Sequence, residues 1–240
     1  KKLTQRADRI ITISEFSKQE ITKHLGFSPE QIDVIPLGVD ERYFQKVPDS
    51  DKRIALQAMG IHTPFFLFIG SIQPRKNLLN LLEAHAKLPK DFARQYPLVI
   101  AGKLAWDDGK TINAIKQAVL EGRAQWLNYV TESQKKCLLQ SATGLAFVSL
   151  YEGFGLPIVE AFASSLPVIT SNCSSMPEVA GEAALIVDPL NQTQITQALT
   201  SLIEGASLAK QLKEAGLART KLFSWEENTK KTCAIYKKMI

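Results

Sequence analysis

The chain has 240 residues, enough to bury a large core and to hold one big domain, or one and part of another. Apolar residues make up 45% and charged residues 22%, the balance of a globular protein, and no run approaches the roughly 18 unbroken apolar residues of a membrane span. The net charge of +5 is modest, and no nucleic-acid-binding motif accompanies it, so nucleic acid is excluded as the expected partner.

The first residues lack Met and the basic, apolar and small-residue layout of a leader. Cys137, Cys173 and Cys233 are far apart and form no C-x-x-C pair, so neither a zinc nor a redox motif is present. An odd cysteine count in a large chain favours reduced thiols and a cytoplasmic setting. Lysines pair at Lys1-Lys2, Lys135-Lys136, Lys230-Lys231 and Lys237-Lys238. Solvated helix faces account for them; attraction to an anionic membrane surface or a lipid-linked substrate is the sharper alternative.

In chain order, residues 9–13 read as a strand. A helix follows, then a single turn opened by Ser28-Pro29-Glu30-Gln31 with proline at the first helical position, then a strand at 32–35. Pro36-Leu37-Gly38-Val39-Asp40 is a turn-rich connector, and a polar stretch runs to Asp51. A boundary near 38–50 is expected, with residues 1–40 as the tail of an N-terminal domain that the chain lacks, plus a connector. Strands follow at 65–69, 98–101, 126–130, 144–149, 167–170 and 184–187, with helical patterns between most of them. Leu78, Leu81, Leu82 and His85 fall at i, i+3, i+4 and i+7, one face of a helix over 77–88, and His85 on that face reads as packed rather than catalytic. Thr131 and Gln134 match a capping box, as do Ser224 and Glu227. After Val187 the alternation gives way to three helices at 192–204, 207–223 and 225–240. The pattern predicts an α/β, Rossmann-like parallel sheet with helices on both faces.

Ligands of such sheets bind beyond the carboxyl ends of strands, so the loops there are the candidates. Gly70-Ser71-Ile72-Gln73-Pro74-Arg75-Lys76-Asn77 follows the strand at 65–69. It fits neither a Walker loop nor a dinucleotide fingerprint. Arg75 offers a planar fork of donors and Lys76 a mobile point charge, both suited to phosphate oxygens. Alone, such a pair is also what a solvated surface carries.

Tyr151-Glu152-Gly153-Phe154-Gly155-Leu156-Pro157-Ile158-Val159-Glu160 follows the strand at 144–149 and opens a helix. Backbone N–H groups at a helix start attract anions. Two carboxylates beside such a site make sense if they grip hydroxyls while the N–H groups grip phosphate, the combination a nucleotide-sugar presents. Their bland role is to favour the helix dipole. Gly153 and Gly155 let the backbone approach a ligand, and Glu160 lies about one turn inside. The loop at 171–181 suits either a plain turn or a ligand-side loop. Lys103, after Ala101-Gly102, fits surface better than ligand, and Asp107-Asp108 fits a polar helix start better than a metal, since no third ligand is near.

Together these residues resemble the C-terminal half of a group 1, family 4 retaining glycosyltransferase. The resemblance rests on Arg75-Lys76-Asn77, the segment from Glu152 to Glu160, Pro167-Val168-Ile169 and Pro177-Glu178-Val179-Ala180-Gly181, in that order, and extends from about Ala7 to Trp225. It implies a GT-B fold of two Rossmann-like domains, with residues 41–225 as the nucleotide-sugar-binding one and helix 226–240 packing toward the N-terminal domain. It also implies that Arg75 and Lys76 neutralise the donor diphosphate, that Glu152 holds the transferred sugar and Glu160 the ribose, and that Gly70, Ser71 and the backbone of Gly153, Phe154, Gly155 and Leu156 line the donor. Val130 would border the base. No essential metal or other cofactor is implied. The implied reaction is transfer with retention to a glycan or lipid-linked acceptor, by a front-face route in which the leaving phosphate helps deprotonate the acceptor. A mannosyltransferase-like enzyme using GDP-mannose is favoured and a UDP-sugar comes next. Polysaccharide biosynthesis in the cytoplasm, or at the inner face of the membrane, is the setting, and without its N-terminal domain the chain is expected to be inactive.

Three positions depart from the pattern. Ser71 stands where an Arg is common, Ser165 where a glycine precedes the next strand, and Asn128 where a glycine is usual. A non-catalytic nucleotide-binding module on the same fold is the alternative. A sugar-nucleotide epimerase or dehydrogenase would need a dinucleotide fingerprint and a Tyr-x-x-x-Lys pair; Tyr43 has Val47 four residues on, and the pattern occurs nowhere.

Overall fold

The computed structural model describes residues 7–106 and 109–239. The Lys1-Lys2 pair and the Asp107-Asp108 candidate lie outside the described residues.

The chain opens with β1 (Ile10–Thr12), α1 (Glu15–Leu25) and β2 (Ile32–Val34), the two strands pairing in parallel. Helix α2 (Asp49–Ala58) starts at the end of the polar stretch and lies mostly in residues for which no element was expected. It fully buries no residue; Ala55, Leu56 and the capping Met59 form a partly buried inner stripe, and Asp49 and Asp51 in the first turn are favoured by the helix dipole.

Among the described residues the main sheet has six parallel strands: β3 (Phe66–Ile69), β4 (Leu98–Ala101), β5 (Ala124–Asn128), β6 (Gly144–Phe147), β7 (Val168–Ser171) and β8 (Leu185–Val187). Between them run α3 (Leu78–Ala86), α4 (Lys90–Gln95), α5 (Lys110–Leu120), α6 (Glu132–Leu139), α7 (Leu156–Ala163) and α8 (Met176–Ala180). Helices α9 (Gln192–Glu204), α10 (Ala206–Arg219) and α11 (Trp225–Met239) close the chain. The spatial order is β5-β4-β3-β6-β7-β8. The chain runs outward from β3 to β5, crosses back to β6 and runs outward again. β3 and β6 are neighbours, in register Phe66 to Gly144. The crevice beyond their carboxyl ends is the topological switch point, the place where such sheets take ligands.

Both faces of the sheet are covered, so the central strands β3, β4 and β6 are continuous apolar runs. Leu67, Ile69, Leu145 and Phe147 pack with Leu138, Ile158, Phe162 and Met176 on one face. Phe66, Phe68, Ala146 and Val148 pack with Leu81, Ile115, Ile195 and Leu199 on the other. The alternation is the two-residue period of a strand.

β5 ends two residues before the expected strand does, and Val130 lies in the turn beyond it. The cause is Asn128, whose φ of 55° is left-handed and cannot continue a strand. Ser165 likewise has a φ of 54° in the tight turn before β7. Both departures thus keep the backbone conformation that glycine adopts most easily, at a cost of about 1 kcal/mol each relative to glycine. The capping box at Thr131 and Gln134 forms as expected. At Ser224 the hydroxyl accepts from Glu227 N at 3.3 Å, while the Glu227 carboxylate meets Lys230.

His85 is fully buried with Leu78, Leu81 and Leu82. Its Nε2 lies 2.8 Å from the Tyr96 carbonyl, so this nitrogen carries the proton and donates, and Nδ1 is buried without a partner. Burial pushes the imidazole down to about 4 from its usual 6.5. The unfolded chain therefore binds the extra proton first. The stability tied to neutral His85 is fully present above pH 6.5 and is lost as pH falls toward 4, by about 3 kcal/mol in all. Urea titrations across this range should show the slope flattened in His85→Gln, whose amide can still donate to Tyr96; an unchanged slope would rule His85 out as the cause.

Candidate functional site

The turn after β3 is built to reach β6. Pro74–Lys76 forms one tight turn, and Asn77 ends it with a φ of 59°. The buried Asn77 amide donates to the carbonyls of Val148 at 2.9 Å and Pro189 at 2.7 Å, and its oxygen accepts from Asn80. Leu150 N donates to the Arg75 carbonyl at 2.8 Å. These bonds staple the β3 loop to the loop after β6.

Arg75, Lys76 and Glu152 meet in one cluster. Lys76 Nζ is 2.5 Å from Glu152 Oε1, and Arg75 Nη1 is 2.8 Å from Oε2. Arg75 also donates to the Tyr151 carbonyl, and the Lys76 ammonium stands 4.7 Å over the Phe147 ring. Lys76 and Glu152 are each 8% exposed, whereas the Arg75 side chain is 43% exposed. Burial moves Lys76 below its usual range, Glu152 pulls it back up, and Arg75 pushes it down. Two cations on one carboxylate leave a net positive charge at the switch point. A charge-assisted fork of this kind presents cations pre-oriented for an oxyanion.

Gly155, with a φ of 113°, precedes α7, and Pro157 sits in the first turn as expected. The Gly153 carbonyl lies within hydrogen-bond reach of the hydroxyls of Ser14 at 2.7 Å and Ser17 at 3.1 Å. The Phe154 side chain is buried edge-on against Phe223, 5.7 Å between ring centres, so only its backbone can face a ligand. Leu156 is partly exposed at the helix start, and Ser71 is exposed beside Gly70. The 171–181 loop braces its neighbour: Ser174 Oγ accepts from Glu152 N at 3.0 Å, and Ser175 Oγ lies 2.8 and 2.9 Å from the carbonyls of Glu152 and Phe154. Glu178 accepts from the first two N–H groups of α1.

Glu160 takes different partners from Glu152. Its Oε1 is 2.7 Å from Lys135 Nζ on α6, and its Oε2 is buried with no partner. Burial raises its pKa, and Lys135 opposes the rise. Tyr43, from the connector, is buried beside it and donates to Glu132 at 2.8 Å. A cavity lined by Gly38, Asp40, Tyr43, Leu156 and Trp225 lies against Lys135 and Glu160. Lys135 is therefore no solvated lysine, as its pairing with Lys136 suggested; its side chain is 16% exposed. The missed signal is its spacing to Leu138 and Leu139, which puts it on the buried stripe of α6. Val130 is half-buried against the core, and the neighbouring Tyr129 is exposed with Lys103 4.8 Å over its ring.

Among the described residues no helix is long and apolar enough to cross a membrane. The model of the family described as "Glycosyl transferases group 1" matches residues 55–219, and that of "Glycosyltransferase Family 4" matches residues 1–43. The chain is 32% identical to the O-antigen chain mannosyltransferase B of Escherichia coli, covering 96% of this chain and 61% of that protein. It is 30% identical to the MMP alpha-(1->4)-mannosyltransferase of Mycolicibacterium hassiacum, covering 100% of this chain and 56% of that one. The chain thus spans about three fifths of the length of these curated relatives. Among solved structures, a glycosyltransferase from Rickettsia africae superposes with a TM-score of 0.86 at 21% identity, over 97% of this chain and 64% of that one. Anabaena HepE in complex with UDP-glucose superposes with a TM-score of 0.83 at 20% identity, over 98% and 66%. These two likenesses bear on the fold, which is that of the C-terminal half of a GT-B protein.

Proposed function

Since the chain belongs to the glycosyl transferases group 1 family, we propose that it is the donor-binding portion of a retaining hexosyltransferase. The observation that carries the reading is the Arg75–Lys76–Glu152 cluster at the switch point, beside the start of α7. As the bond from sugar to diphosphate breaks, negative charge grows on the leaving phosphate. Arg75, Lys76 and the N–H groups at the helix start stabilise that charge more in the transition state than in the ground state. Both Glu152 oxygens already face cations, so Glu152 fixes those cations while its remaining lone pairs accept from sugar hydroxyls. Glu160 grips the ribose through the oxygen that has no protein partner. The leaving phosphate assists deprotonation of the acceptor, so no general base and no metal are required.

The mannosyltransferases among the relatives support a mannosyl donor, which we take to be GDP-mannose, with a UDP-sugar next. An N-terminal domain of the whole protein would hold a glycan or lipid-linked acceptor, and α11 would pack toward it. Polysaccharide biosynthesis in the cytoplasm or at the inner face of the membrane is the matching setting. Calorimetry with GDP-, UDP- and ADP-sugars tests the reading. One of them should bind, and Glu160→Ala should weaken it about tenfold, the scale for a hydrogen bond to a charged group. Unchanged affinity would reduce Glu160 to a support of α7. Transfer by the full-length protein separates an enzyme from a binding module.

A further inference from the structure

We propose that Lys135 is a positioning residue of the ribose grip: it holds the Glu160 carboxylate by one oxygen so that the other faces the vicinal hydroxyls of a nucleotide. The proposal rests on the donor-site reading above and adds a residue that reading lacked. Lys135 is fixed on two sides. Its Nζ lies 2.7 Å from Glu160 Oε1 and 5.3 Å over the ring of the buried Tyr43. Tyr43 is fixed in turn by its hydroxyl bond to Glu132. Glu160 Oε2 is buried without a partner, next to a cavity that Glu160 itself lines. Buried carboxylate oxygens are ordinarily satisfied, so this one is an acceptor left for a donor from outside the protein. Oε1 is taken by Lys135, which leaves Oε2 as the contacting atom.

The surrounding charges act in the same sense. Burial pushes Glu160 toward its protonated form, and Glu132 on α6 adds to that push. Lys135 is the largest opposing group, and the Tyr43 hydroxyl helps it. Arg42 is 2.7 Å from Asp40 and 3.9 Å from Glu132, so it is engaged elsewhere. Without Lys135 the carboxyl would be protonated at higher pH and would accept less well from hydroxyls.

Titration calorimetry with GDP and UDP and their 2′,3′-dideoxy counterparts tests this on wild type, Lys135→Met and Lys135→Arg between pH 6 and 9. At pH 7 Lys135→Met should weaken the bound diphosphate about tenfold. Its dideoxy counterpart should bind as in wild type, which also shows that the variant is folded. Part of the loss should return at pH 9, and Lys135→Arg should stay near wild type. Equal losses for ribose and dideoxy forms would overturn the proposal, since Lys135 would then touch base or phosphate directly or serve only the fold. No loss at all would overturn it too. A wild-type protein that binds none of the four nucleotides would instead overturn the donor-site reading, and one that binds both forms alike would overturn the ribose role of Glu160.

Discussion

Replacing Lys76 by alanine in the full-length protein should lower transfer by roughly 10²–10³, the scale for losing one electrostatic stabiliser of a developing oxyanion. Lys76 is the better buried of the two cations, and a charge shielded from water acts more strongly on a neighbouring phosphate. Its loss also leaves Glu152 with Arg75 as the remaining cation of the cluster. The cluster would then fall from net positive to neutral and lose most of its attraction for a diphosphate. The fall should appear in kcat at saturating donor, because the interaction strengthens as the leaving charge grows. A raised KM with unchanged kcat would mean that Lys76 only binds, and wild-type turnover would remove it from the mechanism. Breaking a buried ion pair also costs stability, so the variant needs a thermal melt beside its kinetics. Arg75 remains to pair with Glu152, which keeps that loss below the about 3–5 kcal/mol of a pair with no substitute.

Gly102→Ala should be the most damaging of the conservative changes to the fold. A Cβ at Gly102 would lie 1.8 Å from the Gly70 carbonyl oxygen and 2.7 Å from its carbon. The obstacle is backbone, so no rotamer relieves it. Neither chain can step aside, because Gly70 N donates to Ala101 O and Ile72 N donates to Lys103 O across the same gap. We expect a loss above about 4 kcal/mol, the range reserved for such mechanisms, seen as a collapse of the urea midpoint. A near-normal midpoint would show that the loops beyond β3 and β4 slide apart at little cost. Gly153→Ala is the matched control, since its Cβ would make only an ordinary contact of 3.6 Å with Ser17 Oγ.

What was legible in the sequence follows the range of each interaction. The strands stood out because a sheet covered on both faces turns each into an apolar run, as in Phe66–Ile69. The stripe of Leu78, Leu81, Leu82 and His85 is a local period and was readable for the same reason. Helix α2 was hard to read because its inner stripe, Ala55, Leu56 and Met59, is short and only partly buried. Arg75 and Glu152 could each be nominated from their places after strands, but their 2.8 Å pairing depends on β3 lying next to β6, an order that no local pattern encodes. Tyr43 and Lys135 meet only after the connector folds back onto α6, so the surroundings of Glu160 were out of reach.

The bonds from Ser14 and Ser17 to the Gly153 carbonyl have a practical bearing on how the molecule can be divided. The two family models meet near the connector, which invites a cut there. Such a cut would strip the hydroxyl donors from that carbonyl, leave the Glu178 carboxylate without its α1 partners and remove Phe16 from its edge contact with the Tyr151 ring. A trimmed fragment would keep Arg75, Lys76, Glu152 and Glu160 and still lose the clamp on the loop that carries Glu152. The workable cloning boundary lies ahead of β1, with the α1 unit kept attached to the sheet it braces.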